Sequence, residues 1–132
     1  MAEPSFRFVC VPDALAGAPS GWAREMLQDG EIALLAGDGG LEAVDAVAHD
    51  LDLMSVPLVR GEASAQRQEQ TVMAYAEHLP LVWVSAGFGD DATAWARDRG
   101  PMTLLVAADG PLADDERRRI ERFVATLGRQ SE

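Results

Sequence analysis

Apolar residues fall along this chain in two alternating patterns. Five short apolar runs, Phe6 to Val11, Ile32 to Ala36, Met54 to Val59, Leu81 to Ala86 and Met102 to Ala107, have the length of strands and the unbroken character expected of strands buried on both faces. Between and after them apolar positions recur at intervals of three and four, which is helical spacing. Leu41, Val44, Val47, Ala48 and Leu51 predict a helix over 41–51. Val72, Met73, Ala76 and Leu79 predict another over 63–79, stopped by Pro80. A shorter helix over 20–28 has Ser20 as its cap and Trp22, Met26 and Leu27 on one side. The segment 90–99 opens on acids and closes at Gly100-Pro101, residues that end helices. The last, over 112–127, gathers Ile120, Phe123, Val124 and Leu127 on one face before Gly128.

Strand and helix therefore alternate five times, and strands joined through helices must run parallel. The expected fold class is α/β: a five-stranded parallel (βα)5 sheet with helices on both faces, strand order 2-1-3-4-5 as in flavodoxin-like folds. Residues 1–132 read as one such domain. Ligands of open parallel sheets bind beyond the carboxyl ends of the strands, so the residues just after each run are the ones to inspect.

Charge narrows the chemistry. The chain holds 22 Asp and Glu against 11 Lys and Arg, for a net charge of −11. All 11 of those cations are Arg, so Schiff-base chemistry and a phosphate-loop lysine are excluded. Such a charge repels a phosphate backbone, and direct nucleic-acid binding is not expected. No apolar run approaches the roughly 20 residues of a membrane span. The single Cys10 has no internal disulfide partner, and no basic region followed by an apolar core marks a signal peptide. The expected location is cytoplasmic. His49 and His78 lack neighbours at metal-ligand spacing and read as exposed helix residues, and Cys10 reads as a small buried hydrophobe. No metal or cofactor is expected. Gly37-Asp38-Gly39-Gly40 follows a strand but lacks the third glycine of the dinucleotide fingerprint.

Several stretches, in order and spacing, resemble the receiver domain of bacterial response regulators over nearly the whole chain. They are Phe6-Arg7-Phe8-Val9-Cys10-Val11-Pro12-Asp13, Gly39-Gly40-Leu41-Glu42-Ala43-Val44, Leu79-Pro80-Leu81-Val82-Trp83-Val84-Ser85-Ala86, and Gly100 before Leu104-Leu105-Val106. The resemblance implies phosphoryl transfer from a histidine kinase to an Asp after the third strand. It also implies an acidic pair after the first strand to hold Mg²⁺, a Ser or Thr after the fourth and a Lys after the fifth. Metal and cations offset charge on the transferring oxygens. Here the acidic pair falls on Pro12 and Asp13, the acceptor on Pro57 (Leu58 if the alignment slides by one), the hydroxyl on Ser85 and the lysine on Ala107. The switch position is Leu104. Acceptor, cation and half the metal site are missing together, so the resemblance implies a pseudo-receiver that is not an enzyme.

Such a module would signal independently of phosphorylation, through protein–protein binding. In receivers the fourth helix, fifth strand and fifth helix commonly form the contact face. Here that face would carry Trp95, Arg99, Leu104, Arg118 and Arg122, and the partner is another protein or a second copy held through the last helix and strand. Arg117 to Arg119 with Arg122 form a basic strip suited to an acidic partner. Two other readings compete. A degenerate restriction-endonuclease-like domain would use Asp45 as metal ligand and Arg60 in place of the catalytic lysine, and would need 41–48 to be a strand. The other is a flavodoxin-like domain that binds a small molecule, since a fold does not fix a function.

Overall fold

The computed structural model describes residues 4–19, 21–35, 40–53, 56–59 and 61–130. Four parallel strands, β1 (Phe6–Cys10), β2 (Gly30–Leu34), β3 (Leu81–Ser85) and β4 (Thr103–Ala107), form one sheet in the order β2-β1-β3-β4. Five α-helices accompany them among the described residues: α1 (Trp22–Met26), α2 (Gly40–Asp50), α3 (Ala65–Ala76), α4 (Asp90–Arg99) and α5 (Asp114–Gln130). The α/β class with a parallel sheet is thus as expected. The count of five strands is not.

The exception is the run from Met54 to Val59, of which Met54 and Ser55 lie outside the described residues. Pro57 to Val59 make only an isolated parallel bridge, Leu34 with Leu58. Leu34 N–H donates to the Pro57 carbonyl, and Val59 N–H to the Leu34 carbonyl, each at 2.9 Å. To continue that ladder, residue 57 would have to donate to the Ile32 carbonyl, and a proline has no N–H to give. The bridge also lies on the outer side of β2, so β1 pairs directly with β3. A flavodoxin-like order would place this segment between them. Hence the strand order agrees with expectation only in its numbering: β3 is the run read as the fourth strand. Ala36, Gly37, Asp38 and Gly39, with Ser20 and Arg60, lie outside the described residues.

Side chains alternate across the sheet. Phe6, Phe8, Cys10, Ile32, Leu34, Val82, Val84 and Val106 face a layer built from α1, α2, α5 and a 3-10 turn at Pro12–Leu15. Val9, Ala33, Leu81 and Trp83 face α3 and α4. β2 begins earlier than its apolar run suggests, because Gly30 leaves room for Phe6: a Cβ there would sit 2.4 Å from the ring. Fully burying a large aliphatic or Phe side chain contributes about 1.5–3 kcal/mol. The buried Phe6, Phe8, Leu34, Leu81 and Ile120 therefore outweigh surface pairs such as Arg24–Asp52 at 3.7 Å, worth at most ~1 kcal/mol.

Candidate functional site

Because one crossover series runs outward from β1 through β2 and the next returns to β3, the chain reverses direction between β1 and β3. That reversal is where an open parallel sheet ordinarily binds its ligand. Here buried residues of the loops that follow the strands border it. Pro12 is buried at the head of its 3-10 turn, and Ala14, also buried, accepts a hydrogen bond from Leu112 N–H at 3.0 Å. Leu112, itself buried, closes the first face. On the other face Phe88 packs edge-on against Trp83, with ring centroids 5.1 Å apart. Asp13 points to solvent. Ser85 Oγ donates to the Gly87 carbonyl at 3.0 Å, so it serves the turn that follows β3.

The receiver-type positions are only partly brought together. Ser85 and Ala107 are register partners on β3 and β4. Pro57 lies beyond β2, three strand spacings from β3, which at about 4.8 Å each is about 14 Å from Ser85 and about 19 Å from Ala107. Leu58, the alternative acceptor position, is also on that outer edge and exposed. Among the described residues no group of three His, Cys, Asp or Glu is placed to hold a metal. Cys10 is buried, and burial pushes its thiol up from the ordinary range. His49 and His78 are exposed. Asp45 is exposed on α2, so the strand over 41–48 that the nuclease reading requires is a helix.

Among the open hollows bordered by the described residues, two bear on the strand ends. One, about 580 Å³, lies between the N-termini of α3 and α4, where Gln66 donates to Asp91 and Glu69 accepts from Gly89 N–H at 2.7 Å. These groups satisfy each other. The larger groove, about 870 Å³, lies at the opposite end of the sheet, against Leu27, Ile32, Leu51 and Leu53, away from the strand ends where chemistry is expected.

The face of α4, β4 and α5 divides into two parts. Trp95 is half-buried, its ring edge-on to Trp83 at 6.4 Å. The Arg99 guanidinium stacks 4.4 Å above it and donates to the Leu79 carbonyl, tying α4 to the turn after α3. Leu104 packs into the core beside α5. These three serve the interior. Arg117 is likewise engaged, with Asp114 and the Leu112 carbonyl. Arg118, Arg119 and Arg122 stand exposed on α5. Sequence alone picks out the strip but gives Trp95 and Arg99 equal weight; their engagement depends on long-range packing that no local pattern reveals. Among the described residues no helix is long and apolar enough to cross a membrane. Comparisons of the chain with models of protein families, with curated proteins and with solved structures returned no match.

Proposed function

We propose that this domain is a non-enzymatic, phosphorylation-independent signalling module of the cytoplasm, working by contact with an acidic protein partner through α5. The observation that carries the reading is a set of three exposed guanidiniums, Arg118, Arg119 and Arg122, in a chain with twice as many acids as cations. In so acidic a molecule local carboxylates would ordinarily draw such groups in, as Asp114 does Arg117. The strand ends support the same reading, since the Ser85 hydroxyl is engaged by the Gly87 carbonyl and Asp13 stands exposed on the 3-10 turn. Receiver domains supply the analogy of a signalling output through the last helices and strand. The strand-order difference weakens that analogy for phosphoryl chemistry and leaves the surface untouched.

The test is Arg118→Ala with Arg122→Ala, titrated with poly-L-glutamate at about 0.15 M salt, where long-range steering is largely screened. Binding should weaken several-fold while the melting temperature holds, because both side chains are exposed. Unchanged affinity, or loss of binding on substituting Asp13 or Ser85 instead, would move the site away from α5.

A further inference from the structure

The two edges of the sheet are treated differently. Beyond β2 the edge is covered by residues 57–59 and interrupted by Pro57. Beyond β4 no strand follows among the described residues. Ala108 N–H donates to the Ser85 carbonyl at 2.8 Å, which fixes the phase of the ladder. Leu104, Val106 and Ala108 turn their peptide groups to β3, and Leu105 and Ala107 turn theirs outward. Thr103 N–H is used by the Gly100 carbonyl. The Leu105 and Ala107 N–H and C=O groups have no partner among the described residues.

Exposed edges are usually blunted by charge, proline or a bulge, since they template the pairing of another chain. Thr103-Leu104-Leu105-Val106-Ala107 contains no charge and no proline, and its five register pairs with β3 run without a bulge. Beside it lies α5. Glu121, Val124 and Ala125 of α5 border a groove with α1. At 100° per residue, Arg119, Arg122 and Thr126 fall on the opposite flank, the one next to the open edge.

Building on the binding role proposed above, we infer that the β4 edge takes up an extended acidic segment of a partner protein as an added strand. Main-chain bonds to Leu105 and Ala107 hold it, and its carboxylates meet Arg119 and Arg122. Strand addition supplies affinity through the backbone and selectivity through side chains, here through charge. A second copy of this chain fits poorly. A two-fold pairing of β4 edges would set the two arginine flanks of α5 against each other, on molecules that each carry −11.

The experiment uses a short synthetic peptide alternating Glu with Val, its Lys counterpart, and poly-L-glutamate, with amide hydrogen exchange followed residue by residue. The Glu peptide should bind and slow exchange at Leu105 and Ala107 about tenfold or more; the Lys peptide should not bind. Arg119→Glu with Arg122→Glu should abolish the effect. Ala107→Pro removes an outward donor without touching a bond to β3 and should weaken the Glu peptide several-fold. Poly-L-glutamate binding with no change at Leu105 and Ala107 on adding the Glu peptide would overturn strand addition and leave the α5 role standing. Absence of binding by either acidic probe would overturn both. Protection of the two amides in the free protein, with the mass of a dimer, would overturn the acidic segment and assign the edge to a second copy.

Discussion

Arg7 lies within the apolar run of β1, on the face that packs against α3, and the fold surrounds its charge with partners. Its guanidinium lies 4.6 Å from the centre of the Tyr75 ring, donates to the Tyr75 carbonyl, and approaches Glu77 at 3.6 Å and Glu31 at 3.9 Å. Tyr75 Oη donates to Glu31 at 2.6 Å. Removing one member leaves a partly buried polar group unpaired, which costs about 1–3 kcal/mol. Arg7→Ala should therefore lower the unfolding free energy by that amount in urea titrations, and Tyr75→Phe by about 1 kcal/mol; the double variant should fall short of the sum, because the groups share partners. Additive losses would show that the cluster is not a unit. Burial, followed by the Glu31 hydrogen bond and charge, pushes the Tyr75 phenol up, and burial alone pushes up the Cys10 thiol. Both groups thus hold their protons more tightly when folded. Their contribution is complete below the unfolded values, about 8.5 for a thiol and about 10 for a phenol, and is lost as pH rises above them. Stability should decline above about pH 8.5, by up to 1.4 kcal/mol per unit for one proton, and Cys10→Ala should flatten that slope below about pH 10 while lowering the neutral value. A slope unchanged in Cys10→Ala would assign the loss to another group.

At the level of elements, four of the five strands and all five helices were legible as hydrophobic period, with ends displaced by a few residues. α4 runs over Asp90–Arg99 as its sequence predicts, because acids at its start and Gly100 at its end mark both limits. α3 is shorter than its apolar spacing suggests. It is capped by Ser64, whose hydroxyl accepts from Arg67 N–H at 3.2 Å, and stops at Ala76, where Glu77 turns to a φ of 51° and reaches Arg7. Ser64→Ala should cost about 0.5–2 kcal/mol, read from the thermal midpoint. The segment 54–59 misled because an apolar run reports burial, and Val56 and Val59 are indeed buried. Strand pairing needs donors as well, and Pro57 lacks one. Pro57→Val restores an N–H opposite the Ile32 carbonyl. The amide at 57 should then be protected from exchange, and the bridge should lengthen toward a strand. Free exchange at that amide would show that something other than the missing donor ends the ladder.

For the whole molecule, sequence could not show which strands are neighbours. Runs read as the third and fourth strands look alike, and only the pairing of Arg7, Phe8 and Val9 with Leu81, Val82 and Trp83 places β3 beside β1. That placement decides what the molecule can do with phosphate. A phosphoryl acceptor needs metal carboxylates, a hydroxyl and a cation within a few ångströms of one group. Here the acceptor position lies on the outer side of β2, about 14 Å from Ser85 at the usual strand spacing, with Pro12 buried and Ala107 in place of a cation. The excess of negative charge adds a further barrier, since a second anion enters a molecule already at −11. Restoring the missing carboxylate should therefore restore nothing. Pro57→Asp, and Pro57→Asp with Pro12→Asp and Ala107→Lys, should each show an unchanged intact mass after incubation with acetyl phosphate and Mg²⁺. In a sheet with the acceptor strand between β1 and β3 the triple variant would rebuild the site. Gain of one phosphoryl group by the triple variant would therefore mean that residues 57–59 lie beside β1 in solution, and the order β2-β1-β3-β4 would not hold.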